Sequence, residues 1–78
     1  MKKLKIRFIK EGNIYKLQKK KLWGWKWAMI QDGGSYMGPH YVISHGDSKS
    51  KSLNKYLHQI GECKQYIKIT EYPTIKKY

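Results

Sequence analysis

Lys3–Lys10 reads KLKIRFIK, a stretch in which basic and apolar side chains alternate. Successive side chains of a β-strand point to opposite faces, so this pattern predicts a strand that is buried on one side only. Leu4, Ile6 and Phe8 form the inner face of the predicted strand. Its outer face is basic and carries Lys3, Lys5 and Arg7.

The residues that follow predict a small antiparallel sheet. Glu11-Gly12-Asn13 is a turn cluster in which Gly12 or Asn13 can take a positive φ. Residues 14–19 are therefore expected to pair with residues 3–10 as a hairpin. The further predictions are a third strand at residues 25–31, a loop at residues 32–35 and a fourth strand at residues 40–44.

One amphipathic helix is predicted after these strands. Leu53, Tyr56, Leu57 and Ile60 fall at i, i+3, i+4 and i+7, which makes one apolar stripe on a helix. Gly61 is placed to end the helix in a left-handed conformation. Three residues could cap its start by accepting backbone N–H bonds: Asp47, Ser48 and Ser50.

The chain order predicts an α+β fold, β-β-β-β-α-β, with one helix packed on one face of a small, mostly antiparallel sheet. The last strand is residues 65–72, which Pro73 ends, and residues 74–78 are expected to be a frayed tail. A chain of 78 residues, which buries about 60% of its unfolded surface, is expected to be one domain, 1–78.

The composition is strongly basic, with 17 Lys and Arg against 5 Asp and Glu and a formal net charge of +12. Such a charge favours nucleic acid, an anionic membrane or an acidic protein surface as partner. Only one of the cations, Arg7, is an arginine. Lysine contacts phosphate as a point charge, whereas bidentate reading of guanine is mainly arginine chemistry. If the partner is a nucleic acid, contacts with its phosphate backbone are therefore expected to contribute more to binding than recognition of its bases.

The segment Lys19–Trp27, here called the Trp–Lys segment, contains every tryptophan of the chain. Indole rings can stack on bases or fill a core, and lysines can contact phosphates or lie on a solvated turn. We expect Trp25 or Trp27 to pack in the core under the helix and Trp23 to be exposed beside the Gly24 turn. The nucleic-acid-binding residues predicted from this segment and the basic strand face are Lys3, Lys5, Arg7, Lys16, Lys19, Lys20, Lys21, Trp23 and Lys26.

Catalytic and metal-binding patterns are weak. His40, His45, Asp47 and Cys63 have no spacing typical of a metal site, and the five acids offer no acid–base pair. We expect no enzymatic activity, no metal, no cofactor and no small-molecule substrate. Cys63 is expected to be a small buried residue.

The location is predicted from the same features. A single cysteine cannot form an intramolecular disulfide, which is typical of a reducing compartment. No apolar run approaches the ~20 residues of a membrane span, and basic residues interrupt the apolar N-terminal stretch. We expect a cytoplasmic protein without a membrane partner.

Tyr15 to Ile60 resembles the three-strands-plus-helix DNA-binding domains of ethylene-response-type transcription factors and integrase arm-binding domains. The resemblance is carried by Gly24-Trp25-Lys26-Trp27-Ala28-Met29-Ile30, the Asp32-Gly33 loop, residues 41–44 and the helix. It implies that the sheet enters the major groove of DNA, although the arginines that read bases in those families are absent here. The residues it implicates are Lys16, Gln18, Lys20, Trp25 and Trp27.

The sequence therefore predicts a non-enzymatic nucleic-acid-binding module that contacts mainly the phosphate backbone through a basic sheet face and a Trp/Lys turn. The chain also resembles small, Lys-rich bacteriophage proteins, many of which bind host proteins. The alternative is accordingly a small phage inhibitor or adaptor that binds an acidic surface of a host protein. In either case a phage-encoded protein would act in the host cell cytoplasm.

Overall fold

The structure, a computed structural model, describes residues 2–77 and, for Ser35, the backbone alone. It contains one α-helix, a mostly antiparallel six-stranded sheet and a second sheet of two strands. The expected α+β class with a helix on one face of the sheet is confirmed. The elements are β1 (Lys2–Glu11), β2 (Ile14–Lys21), β3 (Gly24–Trp27), β4 (Met29–Ser35), β5 (Gly38–Ile43), β6 (His45–Gly46), α1 (Lys49–Ile60), a 3₁₀ helix (Lys64–Tyr66), β7 (Ile67–Glu71) and β8 (Ile75–Lys77).

Strand β1 is the centre of the main sheet. The predicted hairpin joins it to β2 in antiparallel pairing, with Phe8 opposite Leu17 and a turn at Gly12-Asn13. Gly12 takes the positive φ of this turn, at 60°, as the first central position of a type II′ turn requires. On its other edge β1 pairs in parallel with β7 and then with β8. Along the outer edge of β2 lie β3 and then β6.

The core fills the space between α1 and one face of this sheet. Ile6, Phe8 and Leu17 come from β1 and β2, and α1 contributes Leu53, Tyr56 and Leu57. The predicted helical stripe is therefore confirmed except at Ile60, the last residue of the helix, which is 41% exposed. The helix ends are as predicted: Ser48 Oγ accepts from Lys51 N, and Gly61 has φ 72°.

The predicted third strand is divided at the small buried residue Ala28, and the predicted fourth strand ends before Ser44, another small buried residue, beyond which β6 follows. There β4 and β5 leave the main sheet as a separate hairpin, the arm (residues 29–43). Three backbone hydrogen bonds join the bends in a ring: Ala28 N to Leu17 O, Ser44 N to Ala28 O, and Leu17 N to Ser44 O. Two side-chain hydrogen bonds connect this ring of hydrogen bonds to α1. Ser44 Oγ donates to Ser52 O at 2.6 Å, and Ser52 Oγ donates to Ser44 O at 3.1 Å.

Three local predictions are wrong. Residues 32–35 are not a loop, because Asp32 and Gly33 form a bulge opposite His40 and the turn of the arm falls at Tyr36-Met37. Most of the tail is ordered in β8, where β1 offers a free edge beyond β7, and Tyr78 lies outside the described residues. Cys63 is exposed, because it lies in the connection between α1 and the 3₁₀ helix rather than on a core-facing element.

Candidate nucleic-acid interface

The face of the main sheet that points away from α1, here called the open face, carries most of the predicted basic patch. Its composition follows from strand alternation, since Ile6, Phe8 and Leu17 face the helix and their neighbours face the other way. The pairing registers bring cations from four strands onto this face. They are Lys3, Lys5, Arg7, Lys16, Lys20, Lys68 and Lys77.

An aromatic cluster crosses the middle of the open face. The guanidinium carbon of Arg7 lies 4.4 Å from the centre of the Trp25 ring, and the Tyr72 ring meets Trp25 edge-on with centroids 5.1 Å apart. Lys20 Nζ lies 5.4 Å from the Tyr72 ring. Beneath them Gln18 is buried and its Oε1 accepts a hydrogen bond from Arg7 Nε at 2.7 Å. Two cations are thus held against two aromatic rings.

The core placement expected for Trp25 or Trp27 is wrong. Trp27 is paired with Gln18 and Trp25 with Lys20, so both indoles lie on the open face, where each is half-buried. The core position of this segment is taken by the completely buried Ala28. Ala28 belongs to the same core cluster as Leu53, Tyr56 and Leu57 of α1.

Ion pairs cancel little of the charge on the open face. Among residues 2–77 the acidic side chain on this face is Glu11, whose Oε2 lies 2.5 Å from Lys16 Nζ. The hydrogen bond from Lys16 holds the pKa of Glu11 below its ordinary value of 4.5, and the positive charges of Lys16 and Lys77 lower that pKa further. Among residues 2–77, the open-face cations that make no ion pair and do not face Glu11 are Lys3, Lys5, Arg7, Lys20 and Lys68.

Three other acids are paired away from the open face. Glu62 forms an ion pair with Lys2, Asp47 with Lys51 and Glu71 with Lys49. The distance from Nζ to the carboxylate oxygen is 3.1 Å for Lys51 and 3.3 Å for Lys49. These pairs surround α1 and the helix-facing side of the sheet. Each involves at least one well-exposed side chain, so each contributes little stability. Each of these pairs cancels one positive charge on the helix side.

The structure divides the predicted binding residues of the Trp–Lys segment between two faces. Lys20 is on the open face, whereas Lys19 and its partner Lys26 are on the helix side. Lys19 Nζ donates to Tyr56 Oη at 2.9 Å, which holds this lysine against the helix. Lys21, one residue beyond Lys20, also alternates to the helix side. A run of adjacent lysines on a strand cannot form one patch, because the side-chain period is two.

Trp23 lies with Leu22 at the tip of the two-residue turn between β2 and β3, closed by the pairing of Lys21 with Gly24. Its side chain is 90% exposed, which confirms the expected exposure. The turn lies at the end of β2 and β3, directly beyond the paired residues Lys20 and Trp25. An exposed indole at this point can contact a ligand that lies on the open face.

Comparison with protein-family models, curated proteins and solved structures finds no match to this chain. The site therefore has to be interpreted from its own geometry.

Three open-face residues were not predicted as part of the site: Lys68, Tyr72 and Lys77. Each belongs to or borders β7 or β8, and their place beside β1 depends on parallel pairing between residues about 65 positions apart. No local pattern indicates such a pairing. The five residues implicated by the resemblance, in contrast, do share the open face, which follows from the register of β2 and β3.

Two features bear on other kinds of site. Among residues 2–77, no three His, Cys, Asp or Glu side chains lie close enough together to hold a metal ion. Neither helix of the described chain has the length and hydropathy needed to cross a membrane.

Proposed function

We propose that this protein is a non-enzymatic nucleic-acid-binding module that contacts the phosphate backbone through its open face and the turn carrying Trp23. The observation that carries the proposal is the placement of five cations, none in an ion pair within residues 2–77, on one face of a sheet around an aromatic cluster. Phosphate neutralisation by such a surface releases counterions and supplies most of the affinity of sequence-independent binding.

Backbone contact is favoured over base readout by the side chains present. Four of the five unpaired cations are lysines, which lack the fork needed for bidentate recognition of a base edge. The ring of Trp25 is already occupied by Arg7 and Tyr72, so it offers little free surface for stacking on a base. Trp23 is the exposed indole that remains for stacking.

Neither of two clefts on the described surface has the volume of a typical small-molecule site. Two open clefts, of about 140 Å³ between α1 and β7 and about 270 Å³ beside Gly12, are smaller than typical small-molecule sites of ~300–1,000 Å³. A sheet face of this kind suits an extended ligand. The proposed location is the cytoplasm, that of a host cell if the protein is phage-encoded, because Cys63 is the single cysteine of the chain.

A salt titration tests the proposal. Fluorescence anisotropy with a labelled duplex and a labelled single strand should show binding at ~50 mM salt that weakens steeply as salt is added. Electrostatic affinity is strongest at low salt, so absence of binding to either ligand at ~50 mM would end the proposal.

The alternative function is a small inhibitor or adaptor that binds an acidic surface of a host protein, and the arm with its flanking residues offers it a second contact surface without cations. Residues 28–48 contain no lysine or arginine although the chain has 17 such residues. The arm also exposes Met29, Tyr36 and Tyr41. Capture from nuclease-treated host lysate separates the two functions: one protein retained in stoichiometric amount favours the alternative, and loss of all partners after nuclease treatment contradicts it.

A further inference from the structure

Arg7, the one arginine of the chain, is held at two points. Its Nε donates to Gln18 Oε1 at 2.7 Å, and its guanidinium lies over Trp25 at 4.4 Å. Gln18 is buried, while Arg7 and Trp25 are half-buried. A lysine on this face can sample many rotamers, but a guanidinium bonded at Nε and packed on an indole has a fixed plane.

The remaining donors of Arg7 are on its terminal nitrogens. A guanidinium has five N–H groups in a planar fork, and the bond to Gln18 uses the one on Nε. Among residues 2–77 no carboxylate pairs with Arg7, so its charge is not cancelled within the described chain. The two terminal nitrogens match the spacing of two oxygens of a phosphate group, which arginine binds in bidentate fashion.

The surroundings favour an anion at this position. Tyr72 packs against Trp25, and the ammonium of Lys20 lies over the Tyr72 ring. A second cation therefore contacts the same aromatic cluster. Gln18 is neutral and cannot replace an anionic ligand of Arg7. Since the side chain is already ordered, a phosphate that binds here loses less affinity to side-chain ordering than one bound by a free lysine.

We infer that Arg7 forms a preorganised site for one phosphodiester group of the bound nucleic acid, with Gln18 and Trp25 as its positioning residues. This inference rests on the proposed function and adds a defined anchor to it. It also assigns Trp25 the role of holding a cation rather than stacking on a base.

Two substitutions test the site without removing the packing around it. Arg7→Lys keeps the charge but loses the planar fork. Gln18→Glu is nearly isosteric and keeps an acceptor for Arg7 Nε, but its carboxylate competes with phosphate for the guanidinium. Gln65→Glu, at an exposed position of the 3₁₀ helix, changes the net charge by the same amount and is the matched control.

Binding to one labelled duplex should weaken about tenfold in Arg7→Lys and in Gln18→Glu, which corresponds to the loss of about one charge-assisted contact. In Gln18→Glu the salt slope should also fall by about 0.9, the value for one phosphate. Gln65→Glu should bind within about twofold of the wild type, because it lies outside the site. Thermal unfolding of each variant checks that the fold is retained.

The outcomes separate the site from the general proposal. If Arg7→Lys and Gln18→Glu both bind as tightly as the wild type, the Arg7 site is overturned. Binding of the phosphate backbone by the open face is then still supported. Equal weakening in Gln18→Glu and Gln65→Glu also overturns it, because net charge alone would then explain the loss. No binding by the wild type overturns the proposed function and the site together.

Discussion

Replacement of Lys3, Lys5 and Lys68 by alanine removes three of the five unpaired cations of the open face. All three side chains are exposed and none takes part in an ion pair within residues 2–77, so the fold should be retained. The variant therefore tests where nucleic acid binds rather than how stable the protein is.

The magnitude follows from the number of contacts. Five phosphate contacts at about 0.9 each give a slope of log K against log salt of about −4.5, or a loss of about 500-fold between 50 and 200 mM salt. With two contacts left, the slope should be about −1.8 and the loss about 12-fold over the same range. The difference is far larger than the error of an anisotropy titration.

A second triple variant is the matched control. Lys55, Lys64 and Lys76 are also exposed, make no ion pair within the described chain and lie away from the open face. Their replacement by alanine changes the net charge equally and should leave the slope near −4.5. If the two triple variants show the same slope, the position of the charge does not matter, and the reasoning from the open face is refuted.

The further predictions concern three single residues, Glu11, Ser44 and Trp23. Glu11→Gln should strengthen duplex binding severalfold at low salt, because it frees Lys16 on the open face; an unchanged or weaker affinity would contradict this. The pKa of Glu11 is lowered in the folded state, so its contribution to stability is present above the ordinary pKa of 4.5 and is lost as the pH falls through the lowered value. Urea titrations from pH 6 to 3 should show this loss of stability in the wild type and not in Glu11→Gln. Ser44→Ala deletes the buried hydrogen bond to Ser52 O and should cost about 1 kcal/mol, which lowers Tm by about 4–8 °C, whereas an unchanged Tm would show that the bond is not needed at this junction. Trp23→Ala should change stability by less than about 0.5 kcal/mol but weaken single-strand binding at least ~5-fold if the indole stacks on a base, and equal binding would remove Trp23 from the interface.

Local patterns were sufficient for the elements that contact their neighbours in sequence. The alternation of Lys3–Lys10 and the turn at Gly12 predicted the hairpin, and the stripe through Leu53 and Leu57 predicted the helix. In these cases one period and one turn signal determine which side chains face the core. The basic outer face of β1 was predicted for the same reason.

The parts that depend on distant contacts were not predictable. The apolar bulk of Trp25 and Trp27 indicated core, but the contact of β3 with β2 has a register that places both indoles on the open face. The aromatic cluster also needs Tyr72, which reaches Trp25 only because β7 lies in parallel beside β1. Neither contact leaves a signal in a single sequence.

The central position of β1 has a consequence for how the chain reaches this fold. Lys2 pairs with Ile67, 65 positions later, so one edge of β1 stays unpaired until residues 67–77 arrive. Contacts of such long range slow folding, and an open strand edge with buried residues such as Ile6 can pair with another copy in the meantime. The lysines that alternate along β1 oppose this association by charge repulsion. The same side chains that we propose to meet phosphate thus protect the unfinished sheet from aggregation.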